Sequence, residues 1–335
     1  MKKILLPLLM LVLLCTGAAA ETALYTTTTS LDVYIRSEMD KKSSPVGSAG
    51  KGATVQVYAL YPEWAYVGYN GARGYINRAH LNVGRPVDKV NTPPWGVEVY
   101  TYTATVGQNG ASILSAPEAG SEPLFSLTPD TKISVLGFED GWAVLNYYRQ
   151  YGYVDAASFC ELQPIWPDAF SGTDEAPIAA FTSYYVINST EPMAHGKEIN
   201  IGVNCKAMSG ETLAPGKTLN YNTHYGPFKA NKGYIKGPVL ITGGWSLGWG
   251  GGVCQVSSTL YNAVLQLPGV TIIDRRAHGA DGAAYLCLGM DAAVGNNTKG
   301  INCIFRNDYD FPIRFEALAQ DGALYIAIYR VTAGS

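Results

Sequence analysis

The sequence predicts a multidomain, β-rich chain: two small β-barrels followed by a mixed α+β unit with one main helix. Three observations predict this fold class. The chain contains an internal repeat of short strands, it is rich in glycine (37) and tyrosine (23) with only 15% charged residues, and a helical period is clear at one place. Short alternating strands joined by tight turns favour sheet over helical bundles.

Residues 1–20 have the pattern of a secretory signal peptide, with cleavage expected after Ala20. A basic start at Lys2 and Lys3 precedes the apolar run Ile4–Leu14, and three alanines end the segment. No later stretch approaches the roughly 20 apolar residues that span a bilayer. We therefore expect a secreted, extracellular protein that has no stable membrane insertion after cleavage.

An internal repeat predicts the two barrels. Glu63–Ile76 (EWAYVGYNGARGYI) corresponds to Gly141–Val154 (GWAVLNYYRQYGYV), and in each copy a Gly-Tyr pair follows the Trp by ten positions. Short alternating strands precede the two copies, at Ala53–Leu60 and Thr131–Phe138. Strands at regular spacing, bounded by Gly, Pro and Asp turns, are typical of small barrels.

Proline-containing stretches separate the predicted units. They are interpreted as linkers because proline and glycine clusters interrupt regular structure. The predicted order is signal peptide 1–20, first barrel 21–82, linker 83–96, second barrel 97–162, linker 163–177 and α+β unit 178–335.

The α+β unit contains one convincing helix, Cys254–Leu267. Its apolar residues recur at three- and four-residue steps, which gives one stripe facing a core, and Pro268-Gly269 ends it. The segments VTIID, NCIFRN, PIRFEAL and ALYIAIYR that follow are predicted to be strands.

The first copy of the repeat resembles the bacterial SH3-type domain, and the second resembles it more loosely. Tyr replaces the family's final Trp in both copies, and Ser115–Pro117 replaces an Arg-containing segment in the second. Such domains commonly target the cell wall, so the resemblance implies peptidoglycan binding. The alternative is that the barrels are only spacers or docking surfaces.

The glycine run Gly250–Gly252 comes just before Cys254 and the predicted helix start. Glycines accept positive φ and let backbone approach closely. The first N–H groups of a helix have no internal partner, so they favour a thiolate and can hold an oxyanion. The residues alone fit equally a reactive thiol, a buried structural cysteine at a glycine-rich turn, or half of a disulfide.

Five cysteines lie beyond the predicted signal peptide. An odd count in an oxidising compartment leaves at least one thiol unpaired, and Cys254 is the candidate. The other four allow up to two disulfides, in pairings that the sequence leaves open: Cys160, Cys205, Cys287 and Cys303.

A nucleophilic thiol needs a nearby base, and four histidines are available. His80 ends the first barrel, and His195 falls in an expected turn. His224 lies in a loop of the α+β unit and His278 follows a strand, so the residues alone leave both open.

The stretch Gly248–Leu265 (GWGGGVCQVSSTLYNAVL) is nearly identical to the signature of the VanW family. Only Trp249 departs, where the family has an aliphatic residue, and the resemblance extends over roughly residues 178–330. Gly279 replaces the family's Ser. The downstream family positions that match are Arg275, His278, Gly289 and Asp291.

Some VanW members are attributed L,D-transpeptidase activity, which cross-links peptidoglycan stem peptides through a cysteine acyl-enzyme. The resemblance implies that Cys254 is the nucleophile, that His278 is general base and acid, and that Asp291 orients His278. It also implies an oxyanion hole at the helix start. Including residues on the helix face of Cys254, the candidate oxyanion and substrate-binding residues are Gly251, Gly252, Gln255, Ser257, Ser258, Tyr261 and Arg275.

Two other functions remain open: a non-catalytic peptidoglycan-binding protein, and a cysteine peptidase or carboxypeptidase that acts on wall peptides. The absence of a Cys-x-x-Cys motif disfavours a thiol-redox role. A formal net charge of −3 without a basic run argues against nucleic acid as a partner. We expect peptidoglycan as partner, no cofactor and no metal, and the sequence leaves the oligomeric state open.

Overall fold

The computed structural model describes residues 23, 25–61, 63–81, 98–166, 169, 172–187, 190–241, 244–278, 283–287, 290–295 and 300–332. The predicted signal peptide, the predicted linker 83–96, part of the predicted linker 163–177, and Gly279 and Gly289 lie outside these residues.

The N-terminal region, residues 25–81, forms one antiparallel sheet of six strands in the order β1-β4-β5-β6-β2-β3. Its core contains Ile35, Val57 and Val67. The strands are β1 (Tyr25–Thr28), β2 (Val33–Arg36), β3 (Pro45–Ala49), β4 (Thr54–Leu60), β5 (Trp64–Tyr69) and β6 (Ala72–Asn77).

The central region, residues 98–166, forms two sheets, β10-β7-β14 and β11-β12-β13-β8-β9. The strands are β7 (Tyr102–Val106), β8 (Ala111–Leu114), β9 (Pro123–Leu127), β10 (Lys132–Val135), β11 (Gly137–Glu139), β12 (Trp142–Tyr147), β13 (Gln150–Asp155) and β14 (Phe159–Pro164).

The prediction of a β-rich chain is confirmed, but the prediction of closed barrels is wrong, because the sheets are open. In the N-terminal region the edge strands β1 and β3 do not pair with each other. In the central region the predicted strand Thr131–Phe138 is divided in two. Leu136 donates its N–H to Val144 O of the neighbouring sheet (2.8 Å), so the chain changes sheets at this residue.

The C-terminal region, residues 172–332, contains three sheets among the described residues: β15-β23-β22-β16, β17-β21-β20 and the hairpin β18-β19. Helix α3 packs on β15 and β23, and α1 packs on β18, β22 and α3. The elements are β15 (Ala179–Tyr184), α1 (Pro192–Met208), β16 (Thr212–Leu213), β17 (Thr218–Asn220), α2 (Tyr221–Tyr225), β18 (Lys236–Ile241), β19 (Gly244–Trp249), α3 (Val253–Leu265), β20 (Val270–Arg275), β21 (Cys303–Asn307), β22 (Ile313–Gln320) and β23 (Ala323–Arg330).

Helix α3 corresponds to the predicted helix, but the prediction of a single main helix is wrong. Helix α1 has 17 residues and includes His195, which the sequence analysis placed in a turn. Its start is capped by Glu191, whose Oε2 accepts from Ala194 N (2.8 Å). Gly196, Asn200 and Asn204 lie on its buried face, so the helix lacks the apolar stripe that reveals α3.

The central region packs closely on the C-terminal region. Tyr184 and Ala323 belong to the hydrophobic core of the central sheets. Ser134 N–H donates to Thr182 Oγ1 (2.8 Å), and Lys132 pairs with Glu316 (3.0 Å) across the contact. The central region is therefore part of the framework that supports the α+β unit. Among the described residues, no helix is both long and apolar enough to cross a membrane.

All five described cysteines are free thiols, so the disulfides considered from the sequence are not formed. Cys160 is exposed on β14 and Cys254 is partly buried, whereas the other three are buried in the C-terminal region. Burial raises the pKa of each of these three thiols to about 12, which keeps them protonated: Cys205, Cys287 and Cys303.

Candidate functional site

Cys254 is the second residue of α3 and follows a turn that only glycines can form. Gly250 and Gly252 have φ values of +73° and +106°, which residues other than glycine rarely adopt. Gly251 has ordinary φ, but a Cβ there would lie 2.3 Å from the carbonyl carbon of Gly237 on β18. The glycine run thus brings the start of α3 against the β18-β19 hairpin. Trp249, at the end of β19, is exposed.

The side chains of α3 fix an extended segment, residues 290–294, along the helix. Four helical residues rise about 6 Å and two extended residues rise about 6.6 Å, so every fourth helical side chain meets every second backbone group. The pairs are Cys254 Sγ with Val294 O (3.2 Å) and N (3.4 Å), Ser258 Oγ with Ala292 N (2.9 Å), and Asn262 Nδ2 with Met290 O (2.7 Å).

Asp291 lies between two of these pairs, and it connects to His278 and Arg275. Its Oδ2 lies 2.6 Å from His278 Nδ1 and also accepts from the backbone N–H of His278 (2.7 Å). Arg275 Nη2 lies 3.3 Å from Oδ1, and Arg275 Nε donates to Asp291 O (2.6 Å). The carboxylate is 1% exposed. His278 and Arg275 therefore hold the Asp291 carboxylate in place and stabilise its negative charge.

The His278 ring also interacts with the sulfur of Cys254. Burial of the ring favours its neutral form, but hydrogen bonds with Asp291 and Cys254 outweigh burial and raise the pKa of His278 to about 10. The pKa of Asp291 is lowered despite burial, through its hydrogen bonds with the side chain and backbone of His278 and through the charges of His278 and Arg275. His278 is therefore an imidazolium at neutral pH, and it interacts with both the Asp291 carboxylate and the sulfur of Cys254.

The structure brings Cys254, His278, Asp291 and Arg275 together, whereas His224 is placed elsewhere. His224 lies in α2, and its Nε2 is 2.6 Å from Glu211 Oε2. His224 is thus paired with Glu211, and among the described histidines His278 is the one that interacts with Cys254.

Several residues predicted to bind substrate have structural partners instead. Gln255 directs its amide to Ser183 Oγ (3.0 Å) and Tyr184 O (2.8 Å), and its backbone N–H donates to Gly252 O (2.9 Å). Gly251 O accepts from Asn200 Nδ2 (2.8 Å). These contacts anchor the turn and the start of α3 to their neighbours.

The predicted residues further along α3 are also held by the protein itself. Ser257 and Ser258 donate to Cys254 O (3.1 and 2.7 Å), and Tyr261 is buried with the Arg275 guanidinium 5.3 Å from its ring centre. Sequence reasoning missed Asn262, although the spacing C-x3-S-x3-N, which places all three on one helix face, was the signal.

We expect Ser258→Ala to lower the free energy of unfolding by about 1–3 kcal/mol, because Ala292 N–H would be left buried without an acceptor. Urea denaturation measures the change. Ser126→Ala, at an exposed serine of β9, is the matched control and should stay within about 0.5 kcal/mol of the parent. Equal effects for the two variants would contradict the role of the helix side chains in fixing residues 290–294.

The raised pKa of His278 predicts how stability depends on pH. A group whose pKa rises from 6.5 to about 10 on folding contributes stability that is complete below pH 6.5 and is lost as pH rises through 10. The loss of unfolding free energy in His278→Gln should therefore be largest near pH 6 and shrink towards pH 10. The pKa of His80 is lowered by burial, so His80→Gln should show the opposite trend. A parallel trend in both variants would contradict the ion pair.

Two parts of the chain match known families. Residues 196–329 match the family described as VanW like protein, and residues 31–82 match the family described as Bacterial SH3 domain. The SH3 resemblance is thereby confirmed at the first of its two predicted places.

A relative and two solved structures are similar to the chain. The uncharacterized protein YoaR of Bacillus subtilis (strain 168) is 35% identical over 145 residues, which is 43% of this chain and 45% of YoaR, so the match spans less than half of that relative. NlpC2 and NlpC1 from Trichomonas vaginalis are 11% and 13% identical over 94% and 88% of this chain, and over 100% and 91% of their own chains. Both have a TM-score of 0.18, a value that carries no structural argument.

Proposed function

Because residues 196–329 form a VanW domain behind a bacterial SH3 domain, a pairing that indicates a cell-wall-associated protein, we propose that the chain is a cysteine L,D-transpeptidase of peptidoglycan. One observation carries the proposal: the ring of His278 interacts with both the sulfur of Cys254 and the buried Asp291 carboxylate. A nucleophile, a base and a group that orients the base are the parts of acyl-transfer catalysis.

The first step forms a thioester on Cys254. The thiolate attacks the carbonyl carbon of the L,D-peptide bond in a donor stem peptide, and a C–S bond forms. As the C–N bond breaks, the His278 imidazolium gives its proton to the departing amine, so the leaving D-amino acid departs neutral at nitrogen. The Asp291 carboxylate stabilises the imidazolium before transfer and fixes the ring by its bond to Nδ1.

The second step transfers the acyl group to the acceptor. The acceptor amine attacks the thioester, neutral His278 takes a proton from that amine, and the Cys254 thiolate leaves. A new amide cross-link forms, and the imidazolium and thiolate are restored. Water in place of the amine would give carboxypeptidase action through the same intermediate.

The turn before α3 supplies donors for the oxyanion. Val253 and Gln255 direct their N–H groups to Gly250 O (3.1 Å) and Gly252 O (2.9 Å). Among the described residues the structure gives no acceptor for the N–H groups of Gly252 and Cys254, and these two are our proposed oxyanion donors. A single such donor is typically worth about 3 kcal/mol of transition-state stabilisation.

The SH3 domain is proposed to hold the enzyme on the wall. Tyr58, Tyr66 and Tyr75 form an aromatic row on its sheet, and the Arg73 guanidinium stacks 4.1 Å from the ring centre of Tyr58. Aromatic rings beside a cation suit a ligand that has both apolar faces and acidic groups, as glycan strands with stem peptides do.

One observation favours a second candidate, a non-catalytic wall-binding protein. Cys254 Sγ contacts both backbone groups of Val294, as a purely structural cysteine would. This candidate does not explain why His278 interacts with both Cys254 and Asp291, however. The thiol is also only partly buried.

Muropeptide analysis separates the candidates. Sacculi are incubated with the full chain or with Cys254→Ala, digested to muropeptides, and separated by liquid chromatography with mass detection. A transpeptidase adds cross-linked dimers, a carboxypeptidase shortens stems by one residue, and an endopeptidase removes cross-links. Identical profiles for wild type and Cys254→Ala would leave only the binding protein.

A further inference from the structure

Lys197 on α1 lies against the glycine turn that precedes Cys254. A Cβ placed on Gly252 would come within 2.9 Å of Lys197 Cγ and 2.9 Å of Lys197 O. Gly252 precedes the thiol by only two residues, so the lysine stem forms a wall of the candidate site. Lys197 carries no signal in the sequence, because α1 lacks the apolar stripe that marks a helix.

The ammonium group of Lys197 lies near two aromatic rings. Nζ is 5.3 Å from the ring centre of Tyr285 and 5.9 Å from that of Tyr185. Tyr285 OH in turn lies 3.5 Å from Ser258 Oγ, one helical turn from Cys254. These contacts connect the ammonium, through Tyr285, to the helical turn that follows Cys254.

No carboxylate is paired with Lys197 among the described residues. Removal from water lowers the pKa of its ammonium to about 8, and the two rings compensate only part of that cost. The Lys197 ammonium is therefore largely removed from water and suited to an anionic ligand. An incoming carboxylate would complete its hydrogen bonds.

We propose that Lys197 binds the C-terminal carboxylate of the peptide whose last bond Cys254 attacks; this inference rests on the proposed function and narrows its substrate. One residue spans at most about 3.6 Å, so the carboxylate of the leaving residue lies very close to the attacked carbonyl. The recognition cation must therefore lie near the thiol, and the stem of Lys197 packs against Gly252, two residues before Cys254. An endopeptidase substrate would place uncharged chain there and leave the ammonium unpaired. Lys197 is thus a specificity-determining residue for C-terminal bonds.

Binding to a chain that cannot react tests this inference separately from catalysis. In full-length Cys254→Ala protein, calorimetry compares a stem tetrapeptide ending in D-alanine with its C-terminal amide. We expect the acid to bind about 10- to 100-fold more tightly than the amide, as a charge-assisted hydrogen bond provides. Adding Lys197→Met should reduce acid affinity to the amide level, whereas Lys206→Met, at an exposed lysine of the same helix, should change neither.

Equal binding of acid and amide, binding of neither, or a preference that persists in Lys197→Met overturns the inference. If Lys197→Met fails to fold, the ratio of acid to amide affinity in the Cys254→Ala chain still tests whether the site prefers a carboxylate.

Thioester formation in the chain with intact Cys254 tests the proposed function on its own. Equal rates from acid and amide would keep the transpeptidase and remove the role of Lys197. A Lys197-dependent acid preference without any thioester would keep the carboxylate site and remove the transpeptidase.

Discussion

Cys254→Ala is expected to lower the rate of cross-link formation by about 10⁴-fold or more, because the covalent route is lost together with its nucleophile. The fold should be affected little, since the thiol contributes only its contacts with Val294 and its interaction with the His278 ring. The rate is measured with purified donor and acceptor stems by chromatography. Cys160→Ala, at an exposed thiol on β14, is the matched control and should keep the parent rate. A Cys254→Ala chain that retains the parent rate would exclude the acyl-enzyme.

Asp291→Asn is expected to lower the rate by about 10³- to 10⁴-fold, because His278 loses the group that fixes its ring and stabilises its charge. Removing the carboxylate also removes a cause of the raised pKa of His278, so the alkaline limb of the pH–rate profile should move to lower pH. Kinetics across a pH series measure both effects.

Asp274→Asn provides the comparison for Asp291→Asn. Asp274 is an exposed aspartate on β20, close to His278 in sequence. It should leave both the rate and the pH profile unchanged. A lower rate in Asp291→Asn without movement of the alkaline limb would mean that Asp291 supports only the fold.

The sequence predicted α3, the strands of the internal repeat and the C-terminal strands β20–β23 because their apolar residues follow a clear period. It missed α1 because that helix buries asparagines: Asn200 bonds the backbone of Ile235 and Gly251, and Asn204 bonds Tyr234 OH. These side chains form hydrogen bonds with polar groups of the glycine turn and its surroundings. The buried face of α1 is therefore partly polar, and a search for apolar residues does not reveal it.

The closed barrels could not be distinguished from open sheets by periodicity. Alternation records which side chains face a core, and both arrangements bury one face of each strand. Whether edge strands meet depends on register and bends, such as the shift between Val57 and Ala59 where β4 pairs with β5. The spacing of strands along the sequence gives no information on either the register or the bends.

The candidate site was only partly accessible from the residues. Spacing indicated Cys254, but His278 and Asp291 came from the family resemblance, since 37 positions separate Cys254 from Asp291 and no single periodic element contains both residues. The opposite error affected Ser257, Ser258 and Gln255. They lie near the thiol in sequence, yet their side chains bond the protein itself.

Intact-protein mass spectrometry of the chain mixed with a donor stem tetrapeptide tests the central claim most directly. The account predicts an added mass equal to the tetrapeptide minus its terminal D-amino acid and bound as a thioester. Peptide mapping should place it on Cys254, and Cys254→Ala should carry none. An unmodified wild-type chain that nevertheless makes cross-links, or an adduct that persists in Cys254→Ala, would contradict the account.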